Sequence, residues 1–185
     1  WNELKMKIKN RLFLLGAAMA VMSSSAFADT TGTQTFTANV TANTCAITGL
    51  DEVVQFPNFT RQQVKAAGHD DKIIGSGITH TFNVSGCPTT TTEMTMQLDY
   101  TQAASPSNKP VPALTGAGKG VALWLYKTAT GANYFMSGDK ATYTVTNGAA
   151  SSLIRIDPYG WFPNGDSDIA AGSYSTTLNL TFDFT

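Results

Sequence analysis

The chain has 185 residues with 12 Lys and Arg, 13 Asp and Glu, 2 His and 2 Cys, for a formal net charge of −1. No basic stripe stands out, so neither nucleic acid nor an anionic membrane surface is expected as a partner. Two histidines and two cysteines leave little material for a metal or nucleophile centre.

Taken in chain order, the first segment reads as a leader. Lys5, Lys7, Lys9 and Arg11 form a basic stretch. The apolar run LFLLGAAMAVM and then SSSAFA follow, with Ala26 and Ala28 flanking Phe27. This is the pattern of a secretory signal peptide with cleavage after Ala28. A membrane anchor would need roughly 20 apolar residues. Residues 1–28 are therefore expected to be removed, with WNELK as upstream sequence and Met6 as the start. The remainder, Asp29–Thr185, carries eight basic and twelve acidic residues, a net charge of −4, and has the length of one domain.

After the leader the dominant period is two, the signature of strands with one buried face. Phe36, Ala38, Val40 and Ala42 alternate first, then Ile78, His80, Phe82 and Val84. Met94, Met96, Leu98 and Tyr100 follow. VALWLY is a continuous apolar run, ATYTV a short alternation and SLIRID a further strand candidate. The last stretch, GSYSTTLNLTFDFT, alternates at Leu178, Leu180, Phe182 and Phe184. One short helix is expected: Thr60 as cap, Arg61–Ala67 as two turns, and Gly68 as stop. Turn clusters such as MSGDK, TNGAA and FPNGDSD separate the strands. Ser105–Gly120 reads as a long loop. The fold class is all-β, a sandwich or barrel.

Cys45 and Cys87 lie 42 positions apart. In an exported chain they are expected to form one disulfide, which in the chain-entropy picture stabilises by about 4 kcal/mol.

These features together resemble a fimbrial (pilus) subunit of the bacterial chaperone–usher pathway, of the type 1-like major pilin kind. The tail carries the most specific part: Gly172 is fourteenth from the end and Phe184 is penultimate, where the family commonly has Tyr. FNVSGC resembles the strand bearing the second cysteine, and GVALWLY the mid-chain strand. FPNFT departs from the Leu-Gly usual after the first cysteine. The resemblance implies an incomplete immunoglobulin-like β-sandwich completed by donor-strand complementation. It divides the chain into a leader (1–28), a donor-strand extension (29–43) and a pilin domain (44–185). Gln34, Phe36, Ala38, Val40 and Ala42 become the donor row, with Ala38 where a small residue, usually Gly, sits. Gly172, Leu178, Leu180, Phe182, Phe184 and Thr185 become the groove and chaperone strand, with the Thr185 carboxylate an anchor for basic chaperone residues. The implied partners are a periplasmic chaperone, an outer-membrane usher, neighbouring pilin subunits and a host receptor. The implied location is a fimbrium on the cell surface, reached through the periplasm.

Constellations for catalysis are missing from the sequence, so no enzyme and no cofactor are expected. His69, in the polar turn GHDD, is expected to be solvated, and His80 to lie on a strand face. GHDDK lacks the calcium-loop pattern. TGAGKG lacks P-loop spacing, and no G-x-S-x-G occurs. DPYGWFPNG places Tyr159, Trp161 and Phe162 in a turn-rich stretch. These aromatics are expected to cap the sandwich. The alternative is a sugar-binding surface, which would suit a minor, adaptor or glycan-binding adhesive subunit.

Overall fold

The computed structural model describes residues 30–41, 45–73, 75, 77–104 and 111–185. The predicted leader, and Ala42 of the donor row, lie outside them. Two β-sheets face each other across one apolar core. The first contains β3 (Val53–Phe59), β1 (Thr30–Thr41), β10 (Tyr174–Phe184), β5 (Glu93–Asp99) and β8 (Lys140–Thr144) in that order, with β6 (Thr115–Gly116) also on β10. The second runs β2 (Ala46–Thr48), β4 (Ile78–Ser85), β9 (Ala150–Gly160), β7 (Val121–Tyr126).

The alternation read from the sequence becomes the core. Met94, Met96 and Leu98 of β5 and Leu178 and Phe182 of β10 are fully buried, while Thr177 and Asn179 on either side of Leu178 are exposed. From the opposite sheet Phe82, Ile154 and Ile156 are fully buried against them. The Phe82 and Phe182 rings meet edge-on at 5.8 Å between the sheets. Each such side chain contributes roughly 1.5–3 kcal/mol by leaving water.

The run VALWLY is buried along its whole length because its sheet is covered on both faces. Val121, Leu123 and Leu125 join the main core, whereas Ala122, Trp124 and Tyr126 join Val111 in a second cluster behind the sheet. Solid apolar strands arise where both faces are covered.

The helix α1 (Arg61–Ala67) forms as expected, closed by reciprocal bonds at its start. The Gln63 amide donates to Thr60 Oγ1 at 3.2 Å, and the Thr60 amide to Gln63 Oε1 at 2.8 Å. This capping box satisfies two of the orphan donors of a helix N-terminus. Gly68 ends the helix at φ 97°, a conformation that favours glycine. Val64 is its one buried residue. Cys45 and Cys87 are disulfide-bonded and join the lead-in to β2 to the chain just after β4.

Three segments depart from the sequence reading. β3 is a strand that FPNFT conceals, because Pro57 has no amide to donate; it sits on the sheet edge, where such a residue is tolerated. β9 continues through Asp157–Gly160, a stretch read as turn, since beyond Ile156 its edge is met by Lys72 and Ile73 in place of β4. Part of the long loop 105–120 is strand: Thr115 and Gly116 pair with Ser175 and Tyr174.

Candidate strand-binding groove

β10 and β3 stand on either side of a slot that β1 fills. β1 pairs in parallel with β10, from Gly32↔Tyr174 to Thr41↔Asp183, and antiparallel with β3, from Thr30↔Phe59 to Thr35↔Val53. The sequence reading assigns this extension to a neighbouring subunit. The single chain folds it into its own sheet, because the slot is lined with apolar side chains and the strand is tethered close by.

The inward side chains explain the fit. Phe36 is completely buried. Its ring stacks on His80 at 4.6 Å and 11°, and meets Phe82 edge-on at 5.5 Å. His80 sits on a strand face, as read; its Nε2–H donates to the Gly49 carbonyl at 2.7 Å. Gln34 is also completely buried, with Nε2 donating to the Thr35 and Thr176 carbonyls at 3.1 Å each. Its Oε1 has no hydrogen-bond partner among the described residues, and neither does the buried Tyr174 hydroxyl. Gly32 lies directly over the Tyr174 ring, where any Cβ would collide with it. Burial pushes the Tyr174 phenol well above its usual value. The backbone of Ala38 pairs with Leu180 and that of Val40 with Phe182.

The outward face is polar. Thr37 Oγ1 donates to Asn179 Oδ1 across the parallel pair at 2.5 Å. At the far end of β10, Phe184 pairs with Met94 and is partly buried against the core. The Thr185 main-chain oxygen, read as a chaperone anchor, already accepts from the amides of Thr92 (2.7 Å) and Glu93 (2.9 Å). Gly172 has φ +146°, and a side chain there would strike the backbone of Ala117 and Gly118. That close approach is the physical need behind the glycine at the head of the tail motif.

Beside the N-terminal end of β1 lies a cleft of about 370 Å³ lined by Pro57, Asn58, Phe59, Gln63, Ala66 and Ala67 among others. It holds no convergent titratable groups. Among the described residues no cluster of three His, Cys, Asp or Glu is placed to hold a metal.

Most of the aromatic stretch packs behind the sheet, with Tyr159 and Trp161 half-buried in the second cluster. Tyr159 stacks on Trp124 at 3.8 Å and 12°, and its hydroxyl is 3.2 Å from that of Tyr126. Phe162 is buried. His69, expected to be solvated, instead accepts the Phe162 amide on Nδ1 at 3.0 Å and lies against Trp161 at 4.8 Å. The turn that carries it folds back onto β9, as the bond from the Asp70 amide to the Gly160 carbonyl shows. Sequence reasoning also missed the ion pairs of Asp157, whose nearly buried carboxylate meets Lys72 at 2.7 Å and Arg155 at 3.1 Å. Charged residues inside a strand alternation give no sign of their partners.

The sandwich has counterparts in solved structures. The P pilus rod subunit PapA superposes with a TM-score of 0.57 at 13% identity, covering 76% of this chain and 99% of that one. A subunit of a chaperone–usher pilus, from a structure addressing rod uncoiling, gives 0.58 at 15%, covering 80% and 94%. These likenesses show the fold. A search of curated protein sequences returns no significant match. A family model described as "Fimbrial protein" matches residues 34–185. That span runs from the buried Gln34 of β1 through the disulfide to the end of β10, so the chain belongs to the fimbrial protein family, a pilus subunit whose role is structural and not enzymatic.

Proposed function

We propose that this pilus subunit polymerises by donor-strand exchange into a surface fimbrium that mediates adhesion. In this reading β1 of one copy enters the slot between β3 and β10 of the next. A periplasmic chaperone holds the slot first, and an outer-membrane usher orders the exchange. The observation that carries the reading is the position of β1. It is the first of the described strands, yet it lies inside its sheet between β3 and β10, and its Phe36 is fully buried in the core. Removing it would leave β3 without a sheet partner and β10 with an unpaired row, a surface prone to add a strand. Gln34, Phe36, Ala38, Val40 and Ala42 are the donor row. Leu178, Leu180, Phe182 and Phe184 are the receiving wall, and Gly172 and Thr185 mark its ends.

The test is deletion of residues 29–42. The truncated subunit is expected to remain bound to its chaperone, to form no fibres, and to be soluble alone only with a synthetic peptide of residues 30–41. Fibres from the truncated chain would refute the assignment. Trp161, the residue on which the glycan-binding alternative rests, lies against His69, and Tyr159 stacks on Trp124, so that alternative has no supporting observation.

A further inference from the structure

We propose that Met136 is an oxidation site of the folded subunit, a thioether that peroxide converts to the sulfoxide without any opening of the fold.

Three methionines fall among the described residues, and the fold treats them differently. Met94 and Met96 of β5 are fully buried on the core face of their sheet. Met96 Sδ is also engaged, accepting the Ser152 hydroxyl from the opposite sheet at 3.4 Å. Met136 is 46% exposed, although Phe135 beside it is fully buried. An oxidant reacts where it can reach the sulfur. Only Met136 meets that condition in the closed sandwich.

The backbone that presents Met136 is pinned. Its amide donates to Asp139 Oδ2 at 3.2 Å, and the Asp139 amide donates to the Met136 carbonyl at 3.1 Å. The Gly138 amide donates to the Leu98 carbonyl at 2.7 Å, at the end of β5. Ser137 Oγ accepts the Tyr100 amide and donates to the Tyr100 carbonyl, both at 2.9 Å. The Asp139 carboxylate is held in turn by Lys127 at 2.8 Å. None of these bonds uses the Met136 side chain, so an oxygen added to its sulfur leaves the turn standing. The same oxygen on Met94 or Met96 would put a polar group into the apolar core.

The change falls on the surface. Tyr134 and Met136 flank Phe135, and both are exposed large apolar side chains. The sulfoxide makes one of the two polar, and a methionine sulfoxide reductase reverses the step. The oxidant is a peroxide. The sulfur lone pair attacks one peroxide oxygen, and the O–O bond breaks as the S–O bond forms. The transferred hydroxyl gives its proton to the departing hydroxide, which leaves as water. Sulfur loses two electrons and the peroxide gains them.

The experiment treats the purified subunit with hydrogen peroxide, folded and in urea, and follows the three sulfurs separately by peptide mass mapping. In the folded chain Met136 is expected to gain one oxygen at least about tenfold faster than Met94 or Met96, which react only on opening. In urea the three rates should converge. Met136→Leu should remove the fast uptake, and the chain oxidised at Met136 should keep the urea midpoint of the untreated one. Met94 or Met96 reacting as fast as Met136 in the folded chain overturns the assignment. So does a Met136 that stays unmodified when folded but reacts in urea. A lowered midpoint after oxidation at Met136 alone overturns the claim that the fold does not depend on this sulfur.

Discussion

The Phe36 ring lies parallel to the His80 ring at 4.6 Å, so the deepest side chain of β1 is clasped by the opposite sheet. This contact ties the N-terminal strand to the core. Phe36→Ala should cost about 3–5 kcal/mol, the range for emptying a buried aromatic site. Urea unfolding of the monomer measures it. A loss below about 1 kcal/mol would mean that β1 contributes little to the fold.

Gly172→Ala should destabilise by about 1–3 kcal/mol, because the positive φ and the approach of Ala117–Gly118 leave no room for a methyl group. The bond from the Gly118 amide to the Ser173 carbonyl, 2.9 Å, should weaken with it. Thermal unfolding of the two proteins side by side tests this.

Tyr174→Phe removes a buried hydroxyl that has no partner among the described residues, and should stabilise by about 1 kcal/mol. It should also change the alkaline limb. Burial raises the Tyr174 phenol, and burial likewise raises Tyr100, to about 12, and Tyr143. The unfolded chain then loses these protons near pH 10 while the folded chain keeps them. The stabilisation is present below about pH 10 and is lost as pH rises through the folded values. Tyr174→Phe should therefore lose stability less steeply above about pH 10, as denaturation at a series of pH values would read.

Asp157→Ala strands Lys72 and Arg155 beside β9. Both bases are partly exposed, so the cost should be roughly 1–3 kcal/mol, below the 3–5 kcal/mol of a fully buried broken pair. Unfolding at low and high salt checks it: the loss should persist at high salt, since screening acts weakly on a buried carboxylate.

Much of the framework was legible in the sequence. Met94, Met96 and Leu98, or Leu178, Leu180 and Phe182, announce their buried face by spacing alone, because alternation is a property of the strand itself. Thr60 and Gly68 announce a helix because capping acts within one turn, and Gln63 completes the box in the structure. The family tail was legible too, and the close approach at Gly172 supplies its reason. Less visible was β3, since Pro57 argues against a strand until its place on the sheet edge is known. His69 and Asp157 were misjudged or missed because their partners, Phe162, Lys72 and Arg155, come from other elements.

By itself the sequence determined most of the strands and which of their faces are apolar, among them the alternations at Phe36–Val40 and Leu178–Phe184. Those properties are set by neighbours a few positions away. The tertiary structure decided which strands pair and in which direction: β1 parallel to β10, with β3 completing the slot. Pairing depends on register, tether length and the shape of the opposite sheet. No local pattern encodes those, so the alternation at Phe36–Val40 names a strand without naming its neighbours.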